Sequence, residues 1–262
     1  MIIAFPVYVA FVASTTDPTT ISNGHLSLIP DRHLIENYAK VLFEGTERST
    51  KQPMIVPLFN SFVMAMIIAC GKIFISLLSA FAIVYFRFPF RSTAFWVIFL
   101  TLMLPVEVRI YPTYKIVADL HLLDTYAGLT IPLIASATAT LLFRQFFMTV
   151  PDELIEASKI DGAGPWKFFV DTLIPLSMTS IAAMFVIQFI YGWNQYLWPL
   201  LITTRDDMQT IVIGIQKMLT VTDALTEWQL AMATTILAML PPVIVVVAMQ
   251  RLFVRGLTET EK

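Results

Sequence analysis

From Leu58 to Phe86 the chain runs almost unbroken in apolar residues, with Lys72 as its only charge. Four more runs share this character: Ala94 to Tyr114, Gly128 to Met148, Met178 to Thr203 and Leu230 to Met249. A helix needs about 20 such residues to cross a hydrocarbon core about 30 Å thick. Segments of this length and apolarity, repeated along one chain, have no place in a soluble core. The composition agrees: 57% of the 262 residues are hydrophobic and 14% are charged, against roughly 45–50% and 25% in soluble domains. The fold class expected is an all-α polytopic membrane protein, read as one transmembrane domain over residues 1–262.

A sixth apolar block, Met1 to Ser14, covers only about 21 Å at about 1.5 Å per residue. It reads as a first span shortened at its start. The other reading, a signal peptide, lacks a basic lead and a good cleavage site at Thr15-Thr16-Asp17. Six transmembrane helices are therefore expected. The loops 87–93, 144–177 and 251–262 carry Arg87, Arg91, Arg251 and Arg255 close to span ends, which places them in the cytoplasm by the positive-inside rule. The segment 15–57 then becomes an extracytoplasmic loop, punctuated into turns and short helices by Pro18, Gly24, Pro30, Pro53 and Pro57. Tyr126 and Trp228 lie near span ends and read as interfacial anchors.

Several function classes fall away at this point. The net charge of −2 offers no basic surface for nucleic acid. One cysteine, Cys70, excludes an internal disulfide, and His25, His33 and His121 are too scattered to hold a metal. An intramembrane enzyme would need a catalytic set at membrane depth, and all three histidines fall in loops.

The segment 146–175 is patterned as two short helices. Thr149 is placed to cap the first, with Pro151 in its opening turn and Asp152 and Glu153 near its positive end. Asp161-Gly162-Ala163-Gly164-Pro165 supplies a left-handed glycine cap and then a proline that starts the second helix, which carries Trp166, Phe168, Phe169 and Leu173. Two stubby helices around a rigid elbow, bearing Glu156 and Asp161 beside the small residues Ala157, Ser158 and Gly162, suit insertion into a groove on another protein. The alternative is that Leu154, Phe168 and Phe169 simply pack the loop back onto the span ends.

The residues Glu156-Ala157-Ser158, Gly162 and Thr172-Leu173-Ile174-Pro175 resemble the Glu-Ala-Ala coupling loop of ABC-importer permeases. Asn60-Ser61, Arg144-Gln145-Phe146-Phe147 and the stretch from Gln250-Arg251 to Gly256-Leu257 extend the resemblance to carbohydrate permeases of the maltose type over nearly the whole chain. Ser158, Thr172 and Ile174 depart mildly from the family pattern. More narrowly, residues 104–109 and 191–199 resemble the permeases of sn-glycerol-3-phosphate importers.

This resemblance implies a multi-pass protein of the bacterial inner membrane that imports sn-glycerol 3-phosphate by alternating access; a glycerophosphodiester or a neutral sugar is the alternative substrate. It implies a heterodimer with a second homologous permease, an ATPase dimer that binds ATP and Mg, and an extracytoplasmic substrate-binding protein. Glu156 would pair with a basic residue of the ATPase, Ala157 would form the close-contact surface, Gly162 would be the elbow, and Ser158, Asp161 and Pro175 would complete the coupling surface. The subunit itself would hold no cofactor, no metal and no catalytic residue. Its one Gly-Lys pair, Gly71-Lys72, is followed by isoleucine and lies mid-span, so no nucleotide-binding loop is present.

Ionisable and amide groups at membrane depth are costly and mark function by default. Lys72, Glu107, Arg109, Gln188, Asn194 and Gln195 are the candidates for a translocation path. Lys72 lies too deep to reach headgroups and either faces a water-filled cavity or pairs with a carboxylate of another subunit. Glu107 and Arg109, two residues apart, diverge on a regular helix. Unwinding at Pro105 and Pro112 would bring them to one polar surface, where arginine suits a phosphate; the alternative is an arginine that snorkels to headgroups. Trp193, Asn194, Gln195, Tyr196 and Trp198 combine aromatic faces with amides in the manner of a sugar site, or form an interfacial belt. A self-contained secondary transporter would explain the buried charges but not the 146–175 segment, and no internal symmetry of that type is visible.

Overall fold

The computed structural model describes residues 4–22, 28–45, 52–101, 104, 106–220 and 226–259, the side chains of 22, 106, 107 and 251–259 excepted. Its helices, in chain order, are α1 (Phe5–Ser14), α2 (Pro18–Ser22), α3 (Leu34–Ala39), α4 (Ile55–Tyr85), α5 (Arg91–Thr101), α6 (Val106–Asp119), α7 (Tyr126–Thr130), α8 (Ala137–Phe147), α9 (Asp152–Ile160), α10 (Pro165–Phe168), α11 (Ile174–Leu176), α12 (Met178–Trp193), α13 (Leu197–Ile202), α14 (Ile211–Leu219) and α15 (Trp228–Glu259). Among the described residues there is no strand. The chain is an all-α polytopic membrane protein.

Two helices, Ile55–Tyr85 and Trp228–Gln250, are long and apolar enough to cross a membrane unbroken. The other expected spans are interrupted. The stretch 94–114 divides into α5 and α6, with Leu104 in a bend between them; Pro105, where unwinding is expected, lies outside the described residues. Pro112, by contrast, sits inside α6 without ending it, so the unwinding expected there does not occur. The stretch 128–148 passes from α7 through a 3₁₀ turn, Ile131–Leu133, and breaks before Ser136 restarts it as α8. The stretch 178–203 is broken at 194–196 between α12 and α13. Helix α1 is a 10-residue apolar helix, too short to cross alone.

The fold divides into two compact units, residues 1–64, 121–129 and 193–244 in one, and residues 65–120, 130–192 and 245–262 in the other. The first is built around buried Val12, Val41, Met54, Leu129, Ile202, Ile211 and Leu230. A polar network fixes its loops. Asn60, 2% exposed, donates through Nδ2 to the carbonyls of Asp207 (2.8 Å) and Gln209 (2.9 Å) and accepts from the Tyr126 hydroxyl at 2.5 Å. Ser61 Oγ accepts from the Ile211 N–H at 2.8 Å, which starts α14. Tyr126, half-buried, is thus tied into this network by its hydroxyl, and Trp228 is exposed. Asp124 accepts from the backbone N–H groups of Thr204 (2.6 Å) and Arg205 (2.9 Å). The Lys217 ammonium, bonded to Asp206 at 2.9 Å, holds that carboxyl below the usual carboxylate range.

Short apolar α14 within 204–229 was not foreseen in the sequence, which showed only loop there. It is held by Ile211, Ile213 and Met218, and Gly214 lets it approach Met54, whose sulfur lies 3.2 Å from where a Cβ would stand.

The second unit packs α4, α8 and α12 around aromatic residues. Buried Phe81, Phe143, Phe147, Phe168 and Phe169 form its centre with Ile73, Leu77 and Met184. Apolar side chains on the outer faces, such as Trp96, Val97 and Leu100 of α5 and Val108 and Tyr111 of α6, are exposed, the state expected of surfaces that meet lipid.

Replacing Asn60 by alanine removes the partner of one buried carbonyl, one half-buried carbonyl and one hydroxyl. The expected cost is about 1–3 kcal/mol, read as a lowered midpoint of thermal unfolding in detergent, while Thr204→Ala at the exposed Asp124 contact shifts it far less.

Candidate functional site

Residues 152–176 form the predicted two-helix projection. The expected cap is not used: Thr149 turns its hydroxyl back to the Phe146 carbonyl at 2.7 Å, and Pro151 itself occupies the N-cap position of α9 in an extended conformation. Proline is acceptable there because a helix start needs no N–H from it. Asp152 and Glu153 lie in the first turn, near the positive end of the helix, and Lys159 in the last.

The elbow closes as a Schellman motif. Gly162 has φ +74°, its N–H reaches the Lys159 carbonyl at 3.0 Å, and the Ala163 N–H reaches the Ser158 carbonyl at 2.9 Å. A Cβ at Gly162 would meet nothing within 4 Å, so the requirement for glycine inside this chain is conformational and not steric.

Pro165 then opens α10, which passes through a π turn, Phe169–Leu173, into α11. Pro175 lies just beyond the π turn. A wider turn relieves the clash that a proline ring makes with the carbonyl four residues back. The stretch Pro165–Leu176 meets Met178–Trp193 at a bend of 73°, so the second short helix stands well off the axis of α12.

The projection has one buried and one exposed face. Phe168, Phe169 and Leu173 are buried in the aromatic core. The Phe169 ring lies 4.6 Å from Phe81 and the Phe168 ring 5.4 Å from Tyr85, whose hydroxyl donates to the Phe147 carbonyl at 3.1 Å. Glu156, Ala157, Asp161, Gly162 and Pro175 are exposed, and Ser158 is half-buried. Ile160 is 86% and Trp166 62% exposed, unusual for side chains of that size, and Leu154 is exposed beside them. Phe168 and Phe169 therefore pack back onto the span ends, as one of the two sequence readings has it, and the opposite face of the projection is left exposed.

The polar residues at membrane depth separate into two groups. Lys72, 6% exposed, donates to Gln188 Oε1 at 3.0 Å and lies 3.6 Å from the centroid of the Tyr191 ring. It lines a cavity of about 500 Å³ together with Arg109, Gln188, Tyr191, Ser136 and Thr138. Lys72 thus lies at a cavity, with an amide and an aromatic ring as its neighbours within this chain. Two close helix approaches create this grouping. A Cβ on Gly71 would stand 2.9 Å from Ile134, and one on Gly192 would stand 2.9 Å from the Ala65 backbone. These glycines bring the 131–136 break and α12 against α4.

Asn194 and Gln195 belong to the other unit, at the α12–α13 break, and are not among the cavity's lining residues. Trp193 and Trp198 are buried, with Trp198 Nε1 donating to the Gly128 carbonyl at 3.2 Å, so they do not form the interfacial belt considered from sequence. The side chain of Glu107 lies outside the described residues. Tyr191 and the 136–138 helix start, which also line this cavity, were not among the residues singled out from sequence. Pro132 followed by Ser136, a cap residue inside an apparent span, was the signal for the latter.

Residues 72–259 match the family model described as binding-protein-dependent transport system inner membrane component. Over its full length the chain is 60% identical to the sn-glycerol-3-phosphate transport system permease proteins UgpE of Brucella melitensis and Agrobacterium fabrum, covering 93% of each. It is 57% identical to the protein of that name from Escherichia coli, over 261 residues and 92% of its length. Among solved structures it resembles a chain of a bacterial ABC transporter involved in the import of the acidic polysaccharide alginate, with TM-score 0.82 and 18% identity over 95% of this chain and 90% of the other, a likeness of fold.

Gly162→Ala would force an L-residue into the left-handed region at a cost of about 1–2 kcal/mol. The expected result is fraying of the α9 end, measured as faster tryptic cleavage at Lys159 than in the wild-type chain, with cleavage at Lys217 unaltered.

Proposed function

The chain belongs to the binding-protein-dependent transport system inner membrane components, and from that premise we propose that it is the permease subunit that carries sn-glycerol 3-phosphate inward in an ABC importer. Full-length identity of 57–60% to permeases named for that substrate supports the substrate assignment. The outward face of the α9–α11 projection supports the mode of energy supply. In this reading the loops 87–93, 144–177 and 251–262 face the cytoplasm. The subunit pairs with a second homologous permease, sits on an ATPase dimer that binds ATP and Mg, and receives substrate from an extracytoplasmic binding protein.

The ATPase grips the exposed face of the projection. Glu156 offers a carboxylate for a basic partner, Ala157 and half-buried Ser158 allow close approach, and Ile160 and Trp166 supply apolar area. Asp161 adds a second charge at the elbow. When ATP closes the ATPase dimer its groove moves, and the projection moves with it, since Gly162 is locked in a double hydrogen-bonded cap and cannot absorb the displacement by bending. Phe168 and Phe169 pass that displacement to α4 through Phe81 and Tyr85, and to α8 through Phe147. Access alternates as these helices tilt.

Lys72, Arg109, Gln188 and Tyr191 line the path in this unit. Asn194 and Gln195 are path residues in the other.

Reconstitution with a second permease, ATPase and binding protein tests the assignment. ATP hydrolysis is expected to rise with sn-glycerol 3-phosphate and not with maltose. In Gly162→Trp that stimulation is expected to fall by about 100-fold, as a bulky side chain blocks a desolvated interface. Stimulation by maltose alone would discard the substrate, and a fully coupled Gly162→Trp complex would discard the projection as the ATPase contact.

A further inference from the structure

Three positive features meet in the cavity that holds Lys72. Lys72 is 6% exposed, and its ammonium carries three N–H donors, of which Gln188 takes one at 3.0 Å. The Tyr191 ring beneath it fixes the position of the cation without neutralising it. Arg109 of α6 lines the same cavity. So do residues 135–138, where the 11-residue helix α8 begins. The first N–H groups of any helix have no acceptor within it, and those of Ala137 and Thr138 stand at the positive end of the α8 dipole. Among the described residues that line the cavity there is no carboxylate. Buried Lys72, exposed Arg109 and a helix start, with no carboxylate among the described lining residues, make a site that favours a negative ligand.

We infer that this cavity is an oxyanion subsite that takes the phosphate group of a phosphate monoester as it crosses the membrane. Lys72 supplies charge, Arg109 supplies a planar fork that matches two phosphate oxygens, and the α8 start supplies backbone donors. Gln188 and Tyr191 are positioning residues for Lys72. The cavity volume of about 500 Å³ lies within the roughly 300–1,000 Å³ range of small-molecule sites. This inference rests on the function proposed above and adds that this subunit discriminates its cargo by phosphate charge.

The test uses the complete transporter in proteoliposomes, with uptake of sn-glycerol 3-phosphate and of glycerophosphocholine, a diester with less charge, measured side by side. Lys72→Met and Arg109→Gln, checked for assembly by co-purification with the ATPase, are expected to lower monoester uptake by about 10-fold or more and diester uptake by less than about 3-fold. Lys72→Arg is expected to retain most monoester uptake. The pattern is expected to be the same in phosphatidylcholine and in phosphatidylglycerol vesicles. Equal loss of both substrates would mean a structural lysine, and an effect confined to phosphatidylglycerol would mean that the anion is a lipid headgroup; either overturns the subsite, as do variants with unaltered uptake. A wild-type complex that takes up neither phosphate sinks the proposed function and this inference with it.

Discussion

The junction of Phe81 and Tyr85 on α4 with Phe168 and Phe169 on the short helices after the elbow is the contact on which the packing of the second unit depends. Lipid tails are as apolar as leucine, so helices in a bilayer gain little from burial alone and are held by close packing and specific contacts. Aromatic pairs supply about 0.5–1.5 kcal/mol each beyond the area they cover. Here they come as a connected set that also takes in Phe143 and Phe147 of α8. The Tyr85 hydroxyl closes the set onto the Phe147 carbonyl, so the end of α4 and the end of α8 are joined by both packing and a hydrogen bond. The projection is rooted by its inner face in this aromatic set, while its outer face is exposed.

The second constraint is the backbone. Within hydrocarbon every N–H and C=O must find a partner, so a helix breaks only where protein or cavity water can serve the released groups. The interruptions at 134–136 and 194–196 are of this type. At the first, Ser136 repays part of the loss by accepting from the Ala139 N–H, and its carbonyl accepts from Ser76 and Thr140. At the second, buried Trp198 and its bond to Gly128 anchor the chain as it restarts. Chemistry gathers at such places because they alone expose backbone donors at membrane depth, as in other transporters built from discontinuous helices.

Much of this was legible in the residues. Apolar runs marked membrane helices, and the Asp161-to-Pro165 stretch specified a left-handed cap followed by a new helix, because few residues other than glycine tolerate φ +74° and proline suits the first helical turn. The outward face of Glu156, Ala157 and Asp161 was likewise foreseen. Continuity of the spans was not. Hydropathy averages over a window and does not register a break whose flanks are equally apolar, as around Pro132 and Ser136. The role of Thr149 was misjudged for a different reason: a hydroxyl near a helix start has two possible partners, and here the preceding helix end claims it.

By itself the sequence determined the class of solvent the chain must meet, the number of apolar segments, the elbow and the presence of costly charges at depth. These follow from composition and from the φ preferences of single residues, both local properties. Only the tertiary structure decided which of those charges share a space. Lys72, Gln188 and the start of α8 are far apart in the chain, and they meet because Gly71 and Gly192 let helix backbones approach to distances at which a single Cβ would collide, while Arg109 reaches the same cavity from α6. Such a meeting is a property of packing between segments, and no local pattern carries it.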